Sequence, residues 1–198
     1  MELINVFNYE KRAEARMAPD AWAYYSGGAG DEETLRANRA AFERIWLRPR
    51  VLVDVSVIDM YTSVLGTQVT MPILIAPTAA HCLAHPEGEC ATAQGAGRAG
   101  TLMVASTDAT RSLEEIAQAA SGPLWFQLYM YTPENAAKLI RRAEAAGYLA
   151  LVVTVDAARW GPKERVLRSG FHLPDELREA NFVDDDPAVD NVFGTWET

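Results

Sequence analysis

Four short apolar runs in the middle of the chain end on polar side chains, and chemistry could be done at those ends. The runs at 73–77, 102–106, 124–129 and 149–155 finish on Thr78 beside Ala79, Ser106 beside Thr107, Gln127 beside Tyr129, and Thr154 beside Asp156. If the runs are parallel strands of one barrel sheet, their carboxyl ends converge on a single mouth. Hydroxyls and amides donate and accept without fixed charge, so such a rim suits an uncharged heteroaromatic ring that presents both donors and acceptors. The same side chains could simply cap strand ends, and the pattern alone leaves both readings open.

The remaining reactive residues point to structure. Cys82 and Cys90 stand in a C-x7-C spacing that matches no common zinc pattern, so they read as small buried thiols and no metal is expected. His81 and His85 have the spacing of a helical ligand pair, but Pro86 follows directly and no third ligand accompanies them. His85, in a turn before a helix, reads as structural, and His81 and His172 as loop residues. A net charge of −9 argues against nucleic acid or an anionic membrane as partner. No apolar stretch reaches the roughly 18 residues of a membrane span. The first residues have no signal-peptide core, and GTWET is no peroxisomal address. With only two cysteines as well, a reducing cytoplasm is the expected setting.

The elements that must position the strand ends follow from periodicity and capping. The apolar runs begin about 22–29 residues apart, the length of one strand plus one helix. Between them lie helical stretches at 87–99, 112–120 and 133–146. Ser112 with Glu115 forms a capping box, Thr132-Pro133 is a cap followed by proline, and Gly147 closes the last helix. Strands without clear alternation, joined by helices, indicate a parallel sheet covered on both faces. Upstream, Asn5 caps a helix through about Arg16, Pro19 and Asp20 open a second, the glycine-rich 26–31 is a turn, and Asp31 caps a third. Leu35, Phe42, Ile45 and Trp46 fall on one face of that helix. Residues 50–56 and 63–71 read as β segments with a turn at Gly66. The expected organisation is 1–71 as helices and a β-hairpin, 72–157 as four βα units, and 158–198 as a long mobile loop.

Six ordered segments sharpen this reading: YYSGGAGDEETLRANRAAFERI, LRPRVLVDVS, MPILIAPTA, AHPEGECATAQGAGRAGT, FQLY and LVVTVD. Together they resemble the FMN-dependent L-2-hydroxy-acid oxidases and dehydrogenases, the glycolate oxidase and lactate oxidase family, from about residue 3 to about 182. The resemblance implies an α/β fold of the (β/α)8 TIM-barrel family, with only the first four βα units and the N-terminal helices present. It implies FMN as cofactor and a small 2-hydroxy acid as substrate. Pro77, Thr78 and Ala79 would lie against the flavin ring, where a small side chain at 79 avoids collision. Ser106, Gln127 and Thr154 would hold the ring edge. Tyr24 matches the tyrosine that holds the substrate carboxylate, and Tyr129 the one beside the substrate hydroxyl. Asp156 matches the aspartate that supports the catalytic histidine by fixing its tautomer.

The chain departs from the family in three ways. After TVD the family has a proline and then an arginine that assists at the site. Here Ala158 replaces the proline, and Lys163 falls at the arginine's place, keeping the charge but losing the bidentate fork. Arg159 and Arg165 lie nearby at the wrong spacing. Asp108 stands where relatives place a bulky pocket residue. The family's base histidine, main substrate arginine, flavin-side lysine and phosphate site all come from the second half-barrel. Two readings follow: half of a 2-hydroxy-acid oxidoreductase, inactive alone, or a degenerate half-barrel that serves as a flavin-binding or assembly module. The unpaired sheet edges suggest a homo-oligomer or a complementing half-barrel as partner. A third reading, a barrel for a phosphorylated ligand, lacks a glycine-rich loop.

Overall fold

The computed structural model describes residues 3–156 and 161–182. The expectations for Ala158, Arg159 and the chain after Phe182 lie outside the described residues. The chain divides into two compact units, Met1–Asp59 with Trp160–His172, and Met60–Arg159 with Leu173–Thr198.

In the first unit, α1 (Val6–Glu14), α2 (Pro19–Ser26) and α3 (Glu33–Glu43) are joined by α7 (Glu164–Ser169), which packs on α2. Asn5 caps α1 as expected, in a capping box with Asn8. The cap of α3 differs: Glu32, at φ 60°, stands there with no side-chain cap bond, rather than Asp31. Glu32 forgoes capping because its carboxylate is engaged by Arg165, as described below. Residues 50–56 form no strand. Their alternation is real, but a strand needs a hydrogen-bonding neighbour, and Val51, Val53 and Val55 stay exposed. The 158–198 stretch, read as a loop, contains α7 and two single 3-10 turns at Asp175–Leu177 and Ala180–Phe182.

In the second unit, β1 (Thr62–Val64) and β2 (Thr67–Val69) form an antiparallel hairpin around Leu65 and Gly66. Then α4 (Gly88–Arg98), β3 (Met103–Ala105), α5 (Leu113–Ala119), β4 (Leu124–Leu128), α6 (Pro133–Ala145) and β5 (Leu151–Val153) alternate. The strands are parallel and lie in sequence order, with Ala105 opposite Phe126 and Leu128 opposite Val153. The expected strand at 73–77 is reduced to one parallel bridge, Ile75 to Met103. Ile75 N donates to Leu102 O, and Val104 N donates to Ile75 O. Pro72 and Pro77 bracket this segment and have no N–H to extend the ladder.

Period-two alternation sorts the strand side chains into two layers. Met103, Ala105, Phe126 and Leu128 pack under the helices against Leu113, Ile116 and Leu139. Leu102, Val104 and Trp125 face the other way and are covered by Val69 of the hairpin, where Trp125 Nε1 donates to Thr67 Oγ1 at 3.2 Å. The helix starts are fixed by the expected caps at Ser112 and Thr132. Glycine is required at one close approach, where a Cβ on Gly97 would lie 2.5 Å from Gly122 N. This packing fixes the strand ends in one row.

Candidate active site

Gln127 organises the row. It is buried, and its Oε1 accepts from Ser106 Oγ at 3.2 Å and Thr107 N at 3.1 Å, while its Nε2 donates to Thr154 Oγ1 at 2.9 Å. Both ends of the amide are thus used, which fixes its orientation. Thr107, fully buried, donates from Oγ1 to Gln127 O at 2.6 Å and accepts from Tyr129 N at 3.0 Å, tying the ends of β3 and β4 together. The structure therefore brings Ser106, Gln127 and Thr154 into one hydrogen-bonded line. Pro77 and Thr78 are exposed, Ala79 is half-buried, and Asp156 is exposed two residues beyond Thr154.

Two tyrosines and a carboxyl lie beside this line. Tyr131 OH donates to both carboxylate oxygens of Asp108, at 3.0 and 3.1 Å, and its ring lies 5.6 Å from that of Tyr129. Burial, then the charge of Glu179, pushes the Asp108 carboxyl up to about 7, against the lowering effect of the Tyr131 bond. Burial raises the Tyr129 phenol, and the charges of Asp108 and Asp156 raise it further. The carboxylate at 108 is thus met by a donor within the chain.

Sequence reasoning missed the residues that brace the row. Asn181 is buried, donates to Thr107 O at 2.8 Å and accepts from Leu113 N at 3.0 Å. Fully buried Glu89 accepts from His81 N, Thr110 N and Thr110 Oγ1 at 2.9–3.1 Å, holding the turn after Ala79 against α4. His81, read as a loop residue, is bound at Nδ1 to Thr92 Oγ1 at 3.0 Å, and burial lowers its pKa. Among the described residues no His, Cys, Asp or Glu cluster could hold a metal ion.

In the first unit the structure brings Tyr24 and Lys163 together. Lys163 Nζ donates to Tyr24 O at 3.3 Å and lies 5.2 Å from the centre of its ring. The Tyr24 ring packs on Phe171 at 5.1 Å and edge-on to Tyr25 at 5.3 Å. Arg165, passed over on spacing, makes a two-pronged pair with Glu32, both prongs at 2.6 Å. That bond, with the N–H of Gly28, lowers Glu32 to about 2.

The matched span decides the family: residues 13–195 fit the FMN-dependent dehydrogenase model. The chain belongs to the FMN-dependent dehydrogenase family. It is 53% identical over 185 residues to L-lactate oxidase of Nostoc sp. (strain PCC 7120 / SAG 25.82 / UTEX 2576), which covers 91% of this chain and 51% of that protein. It is 49% identical over 183 residues to glycolate oxidase of Spinacia oleracea, covering 92% of this chain and 50% of the relative. Among solved structures, a soluble mutant of the membrane-associated (S)-mandelate dehydrogenase from Pseudomonas putida superimposes with a TM-score of 0.90 at 38% identity, over 93% of this chain and 53% of that one. The chain spans about half the length of the curated relatives it matches. The family's fold is the (β/α)8 TIM barrel, and this chain carries its first four βα units with the N-terminal helices. No helix of the described residues is long and apolar enough to cross a membrane.

The family's flavin can be tested against the side chains present. Ser106, Gln127 and Thr154 form a neutral line, and Thr154 Oγ1, having accepted from Gln127, keeps a proton to donate onward. Ala79 has only a methyl side chain and follows the exposed residues Pro77 and Thr78. These residues fit the edge and face of an uncharged tricyclic ring.

Proposed function

We propose that this chain supplies the flavin-edge half of an enzyme that oxidises a small L-2-hydroxy acid to a 2-oxo acid. The observation that carries the proposal is the line Ser106–Gln127–Thr154, preorganised at three consecutive strand ends in a chain of this family. Pro77, Thr78 and Ala79 would lie along the FMN ring, and Ser106, Gln127 and Thr154 would hold its edge. Bound FMN would accept the two electrons released by the substrate.

The chain's own residues have separate tasks. Tyr24 and Lys163 hold the substrate carboxylate, the phenol by a hydrogen bond and the ammonium by charge. Tyr129 meets the substrate hydroxyl. Asp156 accepts from the imidazole of a base contributed by the remaining four units, fixing its tautomer and stabilising the imidazolium that forms when it takes the proton. Two unpaired thiols, Cys82 and Cys90, suit a reducing cytoplasmic setting.

The test pairs this chain with the second half of the Nostoc L-lactate oxidase, by co-expression or fusion. The complex is expected to retain flavin and to lose its visible absorbance on adding glycolate, L-lactate or mandelate. The chain alone is expected to be inert, because general-base catalysis contributes about 10²–10⁴-fold and no base is assigned among its residues. A complex that holds flavin but is bleached by no 2-hydroxy acid contradicts the proposal, and so does turnover by the chain alone.

A further inference from the structure

We propose that the Glu32–Arg165 pair is a positioning device: it pins α7 to the turn after α2, and so holds Tyr24 and Lys163 together as one anion subsite. The inference rests on the carboxylate role proposed above for those two residues. The pair spans 133 positions of sequence and joins the turn after α2 to α7. Arg165 Nε and Nη2 each bond one carboxylate oxygen of Glu32 at 2.6 Å, and Nη1 donates to Ser26 Oγ at 3.3 Å. Ser26 Oγ in turn donates to Trp22 O at 2.8 Å, which extends the contact into α2. On the other side, Glu32 Oε1 also accepts from Gly28 N at 3.0 Å. A second tie lies close by, Gly30 N to Pro162 O at 2.9 Å.

Two features show that the local chain is shaped around this pair. Glu32 sits at φ 60°, a conformation that costs a side-chain-bearing residue free energy, and its carboxylate goes to Arg165 rather than to a cap bond on α3. Gly27 is buried with Arg165 Cβ 3.6 Å from where its own Cβ would stand, so the base of the arginine side chain comes close to the turn. Lys163 is two residues before Arg165, and Tyr24 is two residues before Ser26. Fixing the pair therefore fixes the approach of Lys163 Nζ to Tyr24. A planar fork is needed, because one point charge would hold distance without orientation.

The test uses this chain, labelled for NMR and hydrogen exchange, with oxalate as a stable dianion probe. In the unaltered protein oxalate is expected to shift the amide resonances of Tyr24 and Lys163 together. In Glu32→Gln, exchange of the α7 amides is expected to rise at least fivefold and oxalate affinity at that position to fall about tenfold, with β3–β5 amides unchanged. Arg165→Lys should give an intermediate loss, and the exchanged pair Glu32→Arg with Arg165→Glu a partial recovery. In the complemented enzyme the same Glu32→Gln change should raise KM about tenfold and leave kcat within about twofold. Unchanged α7 exchange in Glu32→Gln overturns the pinning, and faster exchange with unchanged oxalate affinity overturns the positioning. If the unaltered chain shows no oxalate shift at Tyr24 and Lys163, the carboxylate assignment fails and the positioning of a subsite fails with it, while α7 exchange still decides the pinning.

Discussion

The fold sets the charge of Asp108 through burial. Its carboxyl titrates near 7, whereas in an unfolded chain it would titrate near about 3.9. Between those values the folded state binds more protons than the unfolded one, so stability falls as pH rises from about 4 to about 7 and stays low above that. Asp108→Asn keeps an acceptor for Tyr131 and removes the charge. The variant is expected to match the parent near pH 4 and exceed it near pH 8 by on the order of 1–3 kcal/mol. Calorimetric melts at several pH values decide this, and parallel stability curves would refute it. A second pair of changes separates binding from proton transfer in the complemented enzyme. Tyr24→Phe removes one charge-assisted bond of about 1.5–3 kcal/mol, so KM should rise roughly ten- to a hundredfold with flavin retained. Asp156→Asn should lower kcat more than it changes KM. Steady-state kinetics at known flavin occupancy checks both, and an unchanged KM in Tyr24→Phe would move the carboxylate role to Tyr25 or to a residue of the other half. The row Ser106–Gln127–Thr154 was legible because parallel strands in sequence order put their carboxyl ends side by side. Asn181 and the Glu32–Arg165 pair were not, since their bonds described above act across sequence separations of 68 or more, over which local pattern carries no information.

At the scale of elements, helices were more legible than strands, and the reason is where their hydrogen bonds go. A helix satisfies its backbone locally, and its ends are marked by side chains a few residues apart, as at Asn5 with Asn8 and Ser112 with Glu115. A strand depends on a neighbour elsewhere in the chain. That is why the alternating 50–56 forms none, and why 73–77, paired on one side and bracketed by prolines, shrinks to a bridge at Ile75. The α5 cap lends itself to measurement because Ser112 Oγ accepts from Glu115 N at 3.2 Å while Glu115 accepts from Ser112 N at 2.8 Å. Ser112→Ala is expected to cost about 1 kcal/mol. A urea titration should show a lower midpoint with an unchanged slope. No shift in midpoint would mean that tertiary packing of Leu113 and Ile116 alone holds the helix start.

For the molecule as a whole, the last strand is the exposed one. In β5 and its flanks one face is covered, with Ala150 and Val152 packed on Val104 and Trp125. The alternate residues are not: Leu149 and Val155 are each 62% exposed, Leu151 40% and Val153 46%. Phe126 and Leu128, their neighbours across the ladder, are fully buried under the helices, so the apolar layer continues to β5 and loses its cover there. The strand's far edge has no partner in the three-stranded sheet. An open edge with an apolar face favours pairing with another chain. The isolated protein is therefore expected to self-associate as concentration rises, so that light scattering gives a mass above 21.7 kDa. Val153→Lys places a charge on the edge at a half-exposed position, where little packing is lost. It should shift the population toward monomer while leaving the circular dichroism spectrum and melting temperature close to the parent. The same change should weaken assembly with the complementing half, since that half would bury the same row. A monodisperse monomer at every concentration in the unaltered protein would show that the edge is protected in solution. Association that Val153→Lys leaves untouched would place the contact on another surface, the exposed Val51, Val53 and Val55 being next to test.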